Sequence, residues 1–538
     1  MSSPTVPGPP IPGGSGGGSG PGAGARTGVP AGSANPWRPP VGPSTPAWIT
    51  ATAARVPATP RLRVLGAAVG AGLFSAVLMA HGLGVNLLLF ALAAAVPAAL
   101  AARAGGRRVR PWTVTWVLAA LVLAAVPALT DAGWPVFLAV TVALGVASLA
   151  LHGGTRWAGV LLGPLGVWAH FLPSLFWAAG SARGRSYPAK AKVLPVLKAV
   201  LVAAVLLVVF GALFASADAA VADLLDGLTP SVDLSDLPAR VVFFWGGLVV
   251  ALGAAHTAAA PRRWDRLPVR PGRTRTRLEW AVPMVALNLL FGAFVAIQAV
   301  VFFGGYEAVM SKPGLVPAEY ARQGFWQLLW VTVLTLVVVA LAQHWAPRRT
   351  AGDRLLTKSL VGLLCALTVV VVATAYYRMQ RYVGAFGLTR LRISVTAVEL
   401  WLGVVLLLVL VGVVFGARRW LPRAVVLSAV VGVAVFGLIR PDAMIAEQNV
   451  ARSEDGYSID IGYLGGLSAD AVPALDRLEG DLRSCALGRI SESLADRDRS
   501  WYSTSLAEAR AADILRGRPV GQDWPSACAR SVLGTTSR

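Results

Sequence analysis

The chain has 538 residues, 55% of them hydrophobic and only 14% charged, with a mean hydropathy of +0.63. A soluble domain carries about 25% charged residues, so the composition excludes a soluble enzyme, a secreted disulfide scaffold and a disordered chain. What it implies is an all-α, polytopic integral membrane protein. The formal net charge of +21 is of the kind that marks a nucleic-acid binder when the chain is soluble.

In chain order, residues 1–60 come first. Residues 1–50 contain 12 Pro and 12 Gly and cannot bury enough apolar surface to offset their ordering entropy, which predicts a disordered cytoplasmic tail. It is not a signal peptide, because no apolar stretch closely follows the first Met. The run Asn35-Pro36-Trp37-Arg38-Pro39-Pro40 leaves open a docking role for a protein partner.

A membrane-spanning helix needs about 20 mostly apolar residues. Eleven stretches in 61–440 meet that need: 64–80, 83–102, 112–130, 134–152, 194–215, 239–259, 280–303, 324–345, 355–377, 393–416 and 424–439. A twelfth stretch, 157–180, is interrupted by Pro164 and Pro173 and carries Trp157, Trp168 and Trp177, residues suited to a membrane interface. Charge decides how to treat it. If it lies on the cytoplasmic surface as an interfacial helix, the inner loops hold 24 bases and the outer loops seven. If it spans, that asymmetry collapses. The positive-inside rule therefore favours eleven spans, with the N-terminus inside and the C-terminal segment outside, in a bacterial inner membrane. The charge is then mainly an orientation signal, with anionic lipid at the cytoplasmic face as its partner. Nucleic acid is not expected, because no base-stacking motif accompanies the Arg.

Residues 441–538 hold 15 of the 27 acids against 11 Arg, which predicts a small extracytoplasmic helical domain. Ser468 to Leu482 reads as one helix. Ser505-Leu-Ala-Glu508 reads as a capping box opening a helix through Leu515. Cys485 and Cys528 both fall in this segment, where an oxidising compartment permits a disulfide. Closing their separation would stabilise the segment by roughly 4 kcal/mol. Two unrelated thiols are the alternative. Cys365 lies inside a span and is expected to serve packing.

Several polar residues in or near the spans need partners. A carboxylate in lipid costs about 3 kcal/mol, so Glu399 should face protein or water. Arg392, seven residues earlier, offers it an ion pair at the outer helix end. That pair is either a packing device or part of a substrate or proton site. Arg378, Arg381, Arg390 and Arg392 form an outer cluster against the charge trend, and an anionic lipid or sugar phosphate would explain it. Asp218, with Asp223 and Asp226, stands in an outer loop as a cation site or a helix cap. Glu319, Tyr320 and Arg322 belong to a structured outer loop over 306–323. Asn288 and Gln298 suit hydrogen bonds between helices. The five His are scattered, and no pair has metal-ligand spacing. Neither a phosphate-binding loop nor a hydrolase motif is present. No metal, cofactor or catalytic residue is expected, and whether any chemistry occurs is left open.

Taken together, Phe214-Ala-Ser-Ala-Asp218, Glu319-Tyr320-Ala-Arg322-Gln-Gly324-Phe325-Trp326, Gly387-Leu-Thr389-Arg390-Leu-Arg392, Pro441-Asp442 through Asn449 and Arg452, and Tyr463-Leu464 through Pro473 resemble a bacterial membrane-protein family. It is domain of unknown function 4173, of the related 4153 set, and the likeness covers roughly 190–480. Arg440-Pro441-Asp442 departs from the Asn-Pro-Asp of that pattern. The resemblance implies a polytopic membrane protein without an established activity. Three functions stay open: transport or flipping of an anionic envelope precursor, an envelope enzyme on the outer face, and a membrane sensor or scaffold. An enzyme should show paired outer acids beside a cavity, and a carrier a water path to Glu399.

Overall fold

The computed structural model describes Thr52, 59–80, 82–183, 237–267, 276–303, 317–347, 350–416, 419–497, 500–521 and 523–535, with backbone alone over 181–183, 301–303, 317–325 and 531–535. The tail, the span expected at 194–215 and the loop with Asp218 lie outside these residues. Apolar runs of span length can satisfy their backbone in lipid only as helices, and ten of the eleven expected spans are helical. They are α1 (Leu62–Leu78), α2 (Val85–Ala104), α3 (Pro111–Ala124), α4 (Gly133–His152), α7 (Leu237–Ala259), α8 (Arg277–Phe303), α9 (Pro317–Trp345), α10 (Ala351–Phe386), α11 (Arg390–Val414) and α12 (Leu421–Leu438). Among the described residues nine helices are long and apolar enough to cross a membrane. α1, at 17 residues, is shorter.

The stretch expected to be one interfacial helix is a bent pair, α5 (Trp157–Leu162) and α6 (Phe171–Arg183). Its two halves meet at 57°; one side packs against α4 and α7, while Leu161, Trp168, Leu172 and Phe176 on the other side stay exposed. A Cβ on Gly145 of α4 would meet Pro164 at 3.2 Å, and one on Gly253 of α7 would meet Phe171 at 2.5 Å. The two prolines and the glycines at these contacts set the bend and the close approach.

Contacts between loops sort the helix ends into two sets. At one end Arg107 donates to Leu151 O at 2.7 Å and Ala258 O at 2.9 Å. There too Arg423 donates to Gly154 O at 2.7 Å, and Asp265 accepts from Thr155 and Arg156. This is the basic end. At the other end the chain leaves α12 through Arg440, whose φ of 48° is the one positive value on a non-glycine residue among those described. It enters a polar cap of helices α13 (Pro441–Glu454), α14 (Ile461–Leu464), α15 (Val472–Leu475), α16 (Gly480–Ala495), α17 (Leu506–Gly517) and α18 (Trp524–Thr535).

The cap and the spans share one hydrophobic core. Met379, Val383, Ile393 and Phe436 pack with Ile445, Leu464, Leu475, Leu487 and Ala511. Cys485 and Cys528 are joined, with Cα atoms 4.7 Å apart, and tie α16 to α18. The capping box opens α17: Ser505 Oγ accepts from Glu508 N at 3.1 Å, and Glu508 Oε2 accepts from Ser505 N at 2.7 Å. The single helix expected over Ser468 to Leu482 is broken. A 3-10 turn (Ala469–Ala471) and α15 come first, and Gly480, at φ 54°, then starts α16. The break falls at 476–479, where Asp476 is held by Arg483 of α16, which also donates to Arg518 O at 2.6 Å.

Candidate functional site

Where cap meets spans, two buried carboxylates and a half-buried one gather. Asp442 opens α13 directly after Arg440 and Pro441, and it is 0% exposed. Arg390, the first residue of α11, grips it with Nε at 3.0 Å from Oδ1 and Nη2 at 2.5 Å from Oδ2. Trp134 Nε1 donates to Oδ1 at 3.1 Å and Ser468 N to Oδ2 at 3.0 Å. Burial pushes this carboxyl up, but the Arg390 fork and the other donors outweigh it and hold Asp442 below the usual range.

Asp470 is 2% exposed. Its Oδ2 accepts from Thr130 Oγ1 at 2.7 Å, Asp131 N at 2.9 Å, Ala132 N at 3.2 Å and Ser468 Oγ at 3.2 Å. Its Oδ1 is buried without a partner. Burial dominates here and raises its pKa despite those donors. Asp131 takes Ala469 N at 3.1 Å on Oδ2 and Arg497 Nη1 at 2.8 Å on Oδ1. It is raised too, by burial first and by the nearby Glu508. Arg497 also grips Glu508, so one guanidinium serves a span loop and α17 together.

A second clasp lies beside it. The turn between α1 and α2 is closed by Asn86, whose Nδ2 donates to Leu78 O and Gly82 O, both at 2.7 Å. Asn86 N donates to Tyr502 O at 2.9 Å. Gly84 lets this chain approach, since a Cβ there would meet the Tyr502 and Ser503 backbone at 2.9 Å. Between clasp and carboxylates lies a cavity of about 340 Å³, lined by Leu83, Asp131, Gly133, Arg497, Thr504 and Glu508 among others. Paired acids beside a cavity are present, but Asp131 and Glu508 are each tied to Arg497. The arrangement can bind a polar group.

The residues singled out from sequence separate. Arg390 is consumed by Asp442. Arg392 donates to Phe386 O at 2.8 Å and to Gly387 O, and lies 4.4 Å over the Tyr382 ring. It does not pair with Glu399, which is 2% exposed with Oε2 unpartnered and lines neither of the two cavities at the cap. The expected ion pair fails because Arg392 is drawn to the carbonyls that end α10. Arg378 donates to Gln298 Oε1 at 2.9 Å, and Arg381 lies on the same helix. Asn288 Nδ2 bonds Leu360 O at 3.1 Å, across to α10. Glu319, Tyr320 and Arg322 fall in the first turns of α9, where the backbone alone is described.

The His that look scattered in sequence meet in space. His170 and His256 share a hydrogen bond between their Nδ1 atoms at 2.8 Å, and the His152 and His170 rings lie 5.6 Å apart. His152 and His256 each stand in the last turn of a helix, and His170 at the bend of the 157–180 segment. Among the described residues no group of three His, Cys, Asp or Glu could hold a metal ion.

The family described as a domain of unknown function, DUF4153, matches residues 117–478. The match begins well before the 190 expected from the resemblance, and it is to 4153 rather than 4173. It takes in Asp131, Trp134, Arg390, Asp442 and Asp470, whereas Arg497, Glu508 and both bridged Cys lie beyond it. No curated protein and no solved structure matches the chain.

Proposed function

The chain belongs to the DUF4153 family, and from the junction we propose that this multi-pass membrane protein acts as an extracytoplasmic binding protein, of the sensor or scaffold kind. The observation that carries the reading is the pair of guanidinium contacts, Arg390 on Asp442 and Arg497 on Asp131 and Glu508, which hold the cap on the spans, with a cavity beside Arg497. The cap end faces outward in this reading, because the opposite end gathers Arg103, Arg107, Arg108 and Arg110 with Arg262 and Arg263, beside anionic cytoplasmic lipid. A ligand entering the cavity touches span loops and cap together, so it biases how the two halves dock.

Transport or flipping of an anionic envelope precursor is the second reading. It rests on Glu399, a carboxylate buried inside α11 with an unpartnered oxygen, since such residues in spans commonly serve function. One comparison separates the two. Gly133 lines the cavity, and a Cβ there has open space around it. Gly133→Trp should fill the cavity and abolish complementation of a deletion strain at normal protein level, while Glu399→Gln complements fully. The reverse outcome supports the carrier.

A further inference from the structure

A second groove, of about 430 Å³, opens at the cap and shares no lining residue with the junction cavity. Ala443 and Glu447, four residues apart on one face of α13, line it together with Arg440. Arg510, Asp513 and Ile514 line it from one face of α17, and Asp470 and Pro473 complete it. The lining carries both signs of charge. Asp513 is neutralised by Arg516. Arg440, Arg510 and Glu447, by contrast, make no side-chain hydrogen bond or ion pair among the described residues. Two cations and two acids, Glu447 and Asp470, thus share one groove without pairing with each other.

Asp470 indicates what the groove lacks. Its Oδ2 takes four donors, all of them uncharged hydroxyl or backbone N–H groups. Its Oδ1 has no partner, on a residue only 2% exposed. A buried acceptor without a donor and a buried carboxylate without a counter-charge are both costly. An ammonium group supplies donor and charge at once. A ligand that is only a cation would meet Arg440 and Arg510, and one that is only an anion would meet Glu447 and Asp470. Both signs on one molecule match the whole lining.

We propose that this groove binds a zwitterionic amino acid with an aliphatic side chain. Its ammonium meets Asp470 Oδ1 and Glu447, and its carboxylate meets the Arg440 and Arg510 guanidiniums. Its side chain lies on the wall of Ala443, Pro473 and Ile514. A guanidinium fork matches a carboxylate in shape and charge, and the volume falls in the range of small-molecule sites, about 300–1,000 Å³.

The full chain is placed in phosphatidylcholine nanodiscs and titrated with tritiated leucine. Isoamylamine and isocaproate, each of which keeps the side chain and one of the two charges, are run as competitors. Leucine should bind saturably, and each analogue should bind more weakly by about tenfold or more, the loss of one charge-assisted contact. Arg510→Ala should weaken leucine by a similar factor and leave isoamylamine unaffected. Glu447→Gln should weaken leucine and leave isocaproate unaffected. Arg440→Gly should weaken leucine with no fall in the unfolding midpoint, since glycine accepts φ 48° more readily than arginine. Arg489→Ala, which removes an exposed Arg of α16 outside the groove, should leave leucine binding unchanged. The proposal is overturned if leucine does not bind, if either analogue competes as well as leucine, if binding survives both Arg440→Gly and Arg510→Ala, or if Arg489→Ala weakens it equally.

Discussion

Asp442 and Asp470 are neighbours in one network yet titrate in opposite directions, and the difference lies in their donors. Asp442 meets a guanidinium fork; Asp470 meets only neutral hydroxyl and amide groups. For Asp442, held low, the stabilisation is present at neutral pH and is lost as pH falls through the lowered folded value. For Asp470 and Asp131, both raised, the folded state holds the proton more tightly, so their contribution is present in acid and lost as pH rises through the folded values. The thermal midpoint of the detergent-solubilised protein should therefore peak in mildly acidic buffer, and Asp470→Asn should flatten the fall on the alkaline side. A midpoint that rises steadily from acid to pH 8 would contradict this. Asp442→Ala leaves Arg390 without its partner and should cost about 3 kcal/mol, the scale of a broken buried pair. Arg440→Gly should instead add about 1 kcal/mol by removing a left-handed arginine.

Among the elements, the spans were legible because apolar length is a local property and lipid permits one local solution. The capping box at Ser505 was legible for the same reason. The break in Ser468 to Leu482 was not, because the turn at 476–479 is held by Arg483, which grips Asp476 and also Arg518 O, 35 residues further on. The junction was half legible. Arg390, Asp442, Ser468 and Asp470 all sat in motifs picked out by resemblance, but nothing in the sequence paired them with Trp134, Asp131 or Arg497. The outer Arg cluster drew attention through charge alone, whereas what gives Arg390 its role is a partner 52 residues further on. Two changes test the cap elements. Reduction of the Cys485–Cys528 link opens a 43-residue separation and should cost about 4 kcal/mol, read as a lower midpoint with thiol added. Gly488→Ala places a Cβ 2.2 Å from the Trp524 ring, so α16 and α18 must separate; faster proteolysis of the C-terminal segment should follow, whereas unchanged cleavage would contradict that packing.

For the whole molecule, the +21 charge resolves into a division between ends. Loop contacts bring Arg107, Arg156, Arg263 and Arg423 to one end of the helices and the carboxylate junction to the other. Few of those bases meet acids: Asp265 accepts from backbone there, and Arg107 and Arg423 bond carbonyls. A net positive end and a cap rich in paired acids are what the positive-inside asymmetry requires of a protein whose cap faces out. Three of the four bases from Arg378 to Arg392, which ran against that asymmetry, are accounted for by internal partners: Gln298 for Arg378, Asp442 for Arg390, and the α10 carbonyls for Arg392.

That orientation decides whether junction and groove meet extracytoplasmic ligands at all. The direct measurement is labelling of intact cells with a membrane-impermeant maleimide. Native thiols leave a clean background, since Cys485 and Cys528 are joined and Cys365 is buried. Arg516→Cys, at a side chain 73% exposed on the cap, should label in intact cells, while Arg108→Cys at the basic end should label only after the membrane is opened. Labelling of Arg108→Cys in intact cells with Arg516→Cys protected would contradict an extracytoplasmic cap.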